Sequence, residues 1–113
     1  MFQDTVKAVG SLDLILKGPD GQVKYQTHVP NMVVDTGKTY ISNRMINDTD
    51  TPMTHIGIGT SDVATDGGDI TLGSEVTRKA FAIAPIKSLF NAVQYMSVFL
   101  AGEGTGAIHE AAI

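Results

Sequence analysis

The chain has 113 residues, 42% of them hydrophobic and 18% charged, a size for one domain with one core and a composition too apolar for disorder. Eight Lys plus Arg stand against twelve Asp plus Glu, a formal net charge of −4 without any basic cluster, so nucleic acid is not an expected partner. Cysteine is absent, which excludes disulfides, thiolate nucleophiles and cysteine-ligated zinc, and fits synthesis in a reducing cytoplasm.

The N-terminal Met1-Phe2-Gln3-Asp4-Thr5-Val6-Lys7 has no basic stretch leading into an apolar run. No later stretch approaches the ~18 apolar residues of a membrane span, so export by the usual route and membrane embedding are not expected. From Thr5 to Lys17, Val6, Ala8, Leu12, Leu14 and Leu16 are apolar while Thr5, Lys7, Ser11, Asp13 and Lys17 are polar. That period of two predicts a long, half-buried strand. Gly18-Pro19-Asp20-Gly21 is a turn, and alternation resumes with Val23, Tyr25, Thr27 and Val29, which predicts a hairpin.

After Pro30, Asp35 or Thr36 is placed to cap a helix over about 36–46, with Tyr40, Ile41, Arg44 and Met45 at spacings of three and four. Residues 47–52 read as a polar breaker. Met53 to Gly59 reads as a brief strand, and its Gly57 and Gly59 hint at close approach of a neighbouring backbone. Ser61 to Gly68, small and acidic, reads as a surface loop. Two further strands are expected, Val76 to Ile86 and Ala92 to Ala101, the second almost continuously apolar and therefore read as central and covered on both faces. A glycine-alternating turn over 102–106 precedes an apolar segment, Ala107 to Ile113, which reads as an incomplete strand that a partner must cover.

Four patterns suggest chemistry and none sustains it. Gly37-Lys38-Thr39 has the ending of a phosphate-binding loop, but Met32 stands where that motif needs glycine, and the Asp35 carboxylate would repel phosphate. Gly102-x-Gly104-x-Gly106 lacks the spacing and following helix of a dinucleotide loop. Two acidic and amide groups, Asn47, Asp48 and Asp50, then Asp62, Asp66 and Asp69, lack the alternating ligands and closing glutamate of a calcium loop. His28, His55 and His109 lie far apart, and no serine sits in an activating turn. The expectation is a non-enzymatic protein with no catalytic residue, cofactor or metal. A glycan-binding module would expose aromatics on loops, and of the seven here only Phe90 is a loop candidate.

Several phrases carry a resemblance. Asn31-Met32-Val33-Val34-Asp35-Thr36-Gly37-Lys38-Thr39-Tyr40-Ile41 follows the predicted hairpin. Met53-Thr54-His55-Ile56-Gly57-Ile58-Gly59-Thr60, Leu72-Gly73-Ser74-Glu75-Val76-Thr77-Arg78 and the stretch from Phe99 through Gly102-Glu103-Gly104-Thr105-Gly106-Ala107-Ile108-His109-Glu110-Ala111 come after it. In this order they resemble a group of small tailed-bacteriophage virion proteins, often described as tail or tail-fibre proteins. The resemblance implies a structural part of a virion, made in the host cytoplasm, whose partners are itself and other virion proteins, with no catalytic motif to carry over. Capsid decoration or head-fibre anchoring is the alternative location. Relatives continue with further strands past the segment matching Glu110-Ala111-Ala112-Ile113, which this sequence does not.

The residues by themselves lead to a mainly β fold over 1–113, an antiparallel β-sandwich or jelly-roll-like domain with one short α-helix. Such a module acts through edges and faces. The expected assembly contacts are the two ends of the chain, Met1, Phe2 and Val6 with Ile108 and Ile113.

Overall fold

The computed structural model describes residues 3, 5, 7–46, 50–87 and 91–113, and the chain there is mainly β with one short helix. In chain order the elements are β1 (Gly10–Lys17), β2 (Val23–Asn31), α1 (Asp35–Met45), β3 (His55–Gly59), β4 (Glu75–Ala80), β5 (Ile86–Lys87), β6 (Val93–Gln94) and β7 (Glu110–Ala112). The strands pair antiparallel as β1-β2, β4-β3-β7 and β5-β6. Two compact units result, the first Met1–Asp48 with Thr65–Asp69, the second Thr49–Ala64 with Ile70–Ile113.

In the first unit the alternation produces the expected hairpin, although β1 starts at Gly10 rather than near Thr5. Gly21 N–H donates to the Gly18 carbonyl at 2.9 Å, Gly18 N–H to the Gln22 carbonyl at 2.8 Å, and Asp20 Oδ1 accepts from Gln22 N–H at 3.0 Å. Gly21 closes this turn at φ 79°, a conformation that glycine adopts without side-chain strain. The resulting register sets Leu12 opposite Val29, Leu14 opposite Thr27 and Leu16 opposite Tyr25. Because alternate residues share a face, these six side chains lie on one side of the hairpin.

Helix α1 spans almost the residues expected, with a different start. Val34 is the N-cap and supplies no side-chain hydrogen bond, while Asp35 and Thr36, the expected alternatives for the cap, both sit inside the first turn. The orphan Asp35 N–H instead donates to the Gly67 carbonyl at 2.8 Å, so the loop 65–69 does the work of a capping side chain. Asp35 in the first turn and Arg44 in the last both suit the helix dipole.

The second unit is organised on β3, the middle strand of its sheet. Gly57, Ile58 and Gly59 are the buried residues among those described. A Cβ on Gly57 would come within 2.7 Å of a Glu75 carboxylate oxygen, and one on Gly59 would overlap the Glu110 carboxylate. The close backbone approach anticipated for this glycine pair is made at Gly59, where a Cβ would stand 2.5 Å from the Ser74 carbonyl oxygen, and two carboxylates pack beside the pair as well.

The run Ala92 to Ala101 is not the central strand. Only Val93 and Gln94 are in strand, and from Tyr95 the segment runs beside the end of β4. Met96 there accepts from Ala82 N–H at 2.8 Å, and the Ser97 hydroxyl donates to the Lys79 and Ala80 carbonyls at 3.1 and 3.2 Å. Tyr95, Ser97 and Phe99 are half-buried while Met96, Val98 and Leu100 are exposed, so only one face is covered. The strand expected over Val76 to Ile86 is likewise broken between Ala80 and Ile86, a stretch that includes Pro85, which offers no N–H to a ladder. The rings of Phe81 and Tyr95 meet at 5.0 Å across this bend.

The turn after Leu100 holds Gly102, Gly104 and Gly106 at φ 85°, 71° and 134°. A Cβ on Gly104 would stand 2.5 Å from Ile58 Cδ1, whereas one on Gly102 meets nothing within 4 Å. Gly102→Ala therefore carries backbone strain alone, about 1–3 kcal/mol, and Gly104→Ala carries the same strain plus displacement of the buried Ile58. Denaturant midpoints should fall in the order wild type, Gly102→Ala, Gly104→Ala; equal midpoints for the two variants would show that Gly104 is not held against β3.

Candidate functional site

The phrases at Gly57 to Ser61, Leu72 to Val76 and Glu110 lie far apart in sequence and meet in the second unit. Pairing of β7 with β3 sets Glu110 opposite Gly59, and His109 N–H donates to the Gly59 carbonyl at 3.0 Å. The Glu110 side chain then lies over the segment joining β3 to β4. Its Oε1 accepts from Ser74 N–H at 2.7 Å and Ser61 N–H at 3.3 Å, and its Oε2 accepts from Gly73 N–H at 2.8 Å. Partial desolvation pushes the Glu110 carboxyl upward, but the three amide bonds outweigh it and leave its pKa below the ordinary glutamate range.

A second carboxylate fixes the neighbouring turn. Glu103 pairs with the Lys79 ammonium and accepts from Leu100 N–H at 2.8 Å, and these contacts, Lys79 first, also hold its pKa below the ordinary range. Both glutamates thus tie together backbone amides of their own unit, and Glu103 the Lys79 ammonium as well. Acidic residues of the loop behave similarly: Asp66 Oδ1 accepts from Gly68 N–H and Asp69 Oδ2 from Asp66 N–H, each at 2.9 Å. Among the described residues no group of three or more His, Asp or Glu is placed to hold a metal ion. Gly37-Lys38-Thr39 lies inside α1, with Lys38 Nζ 3.8 Å from Asp35 Oδ1, and forms no phosphate-wrapping loop. His28 pairs across the hairpin with Asp13 at 2.5 Å, and His55 Nδ1 lies 2.7 Å from the Thr54 hydroxyl. No described helix is long and apolar enough to cross a membrane.

What the structure leaves open is apolar surface. On the hairpin, Leu16 and Tyr25 are each 55% exposed, Val29 39% and Leu14 37%, although all four share the face that alternation marks for burial. Leu12 and Thr27, on the same face, are half-buried. In the second unit Met96, Val98 and Leu100 form an exposed stripe at every second residue. A shallow groove lined by Met53, Thr54 and Ala80 to Pro85 lies in the same unit.

Of the expected contact residues, Met1, Phe2 and Val6 lie outside the described residues, as does Phe90. Ile108 is half-buried and Ile113 is 54% exposed. The C-terminal segment is not left unpaired: β7 joins β3 along one side, which leaves its outer edge as the sheet's boundary. The sequence reading overlooked the hairpin face because a period of two shows which side is apolar, not whether anything covers it. It overlooked Glu110 because its amide partners are 36 to 49 residues away.

Comparison of the chain with protein-family models, with curated proteins and with solved structures gave no match.

Glu110 generates a pH prediction with a definite sign. Its folded pKa is depressed, so its contribution to stability is complete above the ordinary value of 4.5 and is lost as pH falls through the lower folded value. Glu110→Gln keeps the shape but offers one acceptor oxygen and turns an NH2 group toward an amide donor. Thermal melts across pH should show the variant less stable at neutral pH, with the two curves converging in acid. A constant gap down to the most acidic point would mean that the charge of Glu110 contributes nothing.

Proposed function

We propose that this chain is a non-enzymatic structural component of a tailed-phage virion, a tail or fibre-associated part that works through contacts with its own copies and with other virion proteins. The observation that carries this reading is the lack of cover over its apolar residues. Within the units, Leu16 and Tyr25 of the hairpin are each 55% exposed, and Met96, Val98 and Leu100 form an exposed apolar stripe. Apolar surface of this kind favours association with neighbours.

The resemblance of the Asn31 to Ile41, Met53 to Thr60, Leu72 to Arg78 and Phe99 to Ala111 phrases supports a virion as the setting. The use of Glu103 and Glu110 as structural anchors supports a role without catalysis, because the most strongly engaged carboxylates are already bound by backbone amides and Lys79.

Light scattering on the purified chain over a hundredfold range of concentration tests the reading. A discrete oligomer with a cooperative melt that shifts upward with concentration is expected, since association stabilises the folded state by mass action. A stable, cooperatively folding monomer at every concentration would sink self-assembly.

A further inference from the structure

We infer that Asp66-Gly67 is a site of spontaneous backbone modification, where aspartate converts to isoaspartate and in doing so uncaps helix α1. The inference goes beyond the assembly reading and does not depend on it.

A glycine after an aspartate presents its amide nitrogen without a Cβ to hinder approach. That nitrogen can attack the carboxyl carbon of the aspartate. An N–C bond forms, the C–OH bond breaks, and the hydroxyl leaves with the amide proton as one water. A second water then opens the cyclic imide. Opening at the former main-chain carbonyl leaves the chain running through the side-chain carboxyl carbon, with one more methylene in the backbone. Water is the only reactant, and none is consumed overall.

The chain has two Asp-Gly steps, Asp20-Gly21 and Asp66-Gly67. Both aspartates are exposed, and each carboxylate accepts from the amide two residues on. Asp20 Oδ1 takes the Gln22 N–H at 3.0 Å and Asp66 Oδ1 the Gly68 N–H at 2.9 Å. The steps differ at the nucleophile. Gly21 N–H is tied to the Gly18 carbonyl at 2.9 Å, whereas among the described residues no acceptor bonds Gly67 N–H. Attack by the Gly21 nitrogen must first give up a hydrogen bond and open the turn that joins β1 to β2; attack by the Gly67 nitrogen need not.

The consequence follows from what this loop does. The Gly67 carbonyl accepts from Asp35 N–H at 2.8 Å, at the end of α1 where Val34 supplies no side-chain bond. Asp66 holds the loop in place for that contact. Its main-chain carbonyl accepts from Asp69 N–H at 3.0 Å, and its N–H donates to Asp69 Oδ2 at 2.9 Å. After isomerisation that carbonyl carbon becomes a carboxylate off the main chain, and an added methylene separates the Asp66 N–H from Gly67. The acceptor of Asp35 N–H is no longer held, and the first turn of α1 opens more readily.

The test incubates the full chain, folded and in denaturant, at one neutral pH and locates isoaspartate by fragment-ion mass spectrometry. In the folded chain isoaspartate should accumulate several-fold faster at 66 than at 20, and in denaturant the two rates should be alike. Hydrogen exchange at the Asp35 amide should be about fivefold faster in molecules isomerised at 66. Gly67→Ala should suppress the reaction at 66 and leave the melt unchanged, since a Cβ there would stand 3.9 Å from Asp35 Oδ1, an ordinary contact. A rate at 20 equal to or above that at 66 in the folded chain overturns the site. Isoaspartate at 66 with unchanged Asp35 exchange overturns its hold on α1.

Discussion

The second unit depends on one carboxylate. Glu110 reaches from an edge strand to three backbone amides in the segment joining the two other strands of its sheet. Main-chain N–H groups in an irregular segment need acceptors, and a charged acceptor forms stronger bonds than a neutral one. The same side chain lies against Gly59, so the absence of a Cβ there and the presence of a carboxylate at 110 are two halves of one fit. Gly57 beneath Glu75 repeats the arrangement two residues away, and Gly104 admits Ile58 from the opposite direction. Backbone and carboxylate, more than interlocking aliphatic side chains, hold this unit.

That mode of construction explains why so little of the chain is buried. A core of Leu, Ile and Val layers would draw the apolar strand faces inward, and this sequence has such faces in β1, in β2 and in the stretch after β6. They remain at the surface because the elements that could lie over them are short, glycine-rich or tied elsewhere. α1 takes its first acceptor from the loop at Gly67, and Tyr95 to Phe99 are held along β4 by Ser97. Intramolecular order is supplied by polar contacts, with apolar strand faces left at the surface.

The sequence disclosed local structure well and covering poorly. The hairpin register follows from period two and from the Gly18 to Gly21 turn, both written in neighbouring residues. The helix was legible from spacing, but its cap was not, since the acceptor at Gly67 comes from a segment more than thirty residues later. The run from Ala92 to Ala101 was misread because continuous hydrophobicity indicates two apolar faces without indicating that both are packed. Tyr95 and Phe99 lie against the unit while Met96, Val98 and Leu100 do not. The close approach around Gly57 and Gly59 was foreseeable, whereas the identity of the groups that approach required the third dimension.

The long reach of Glu110 also sets an order of events during synthesis. The β1-β2 hairpin closes on a four-residue turn and needs nothing beyond Asn31, so it is available to form early. The second unit cannot close until residue 110 has been made, because β3 and the segment through Ser74 must wait for their acceptor. While residues 32 to 110 are being made, a nascent protein holds every residue of the hairpin but not yet the acceptor that the second unit closes on.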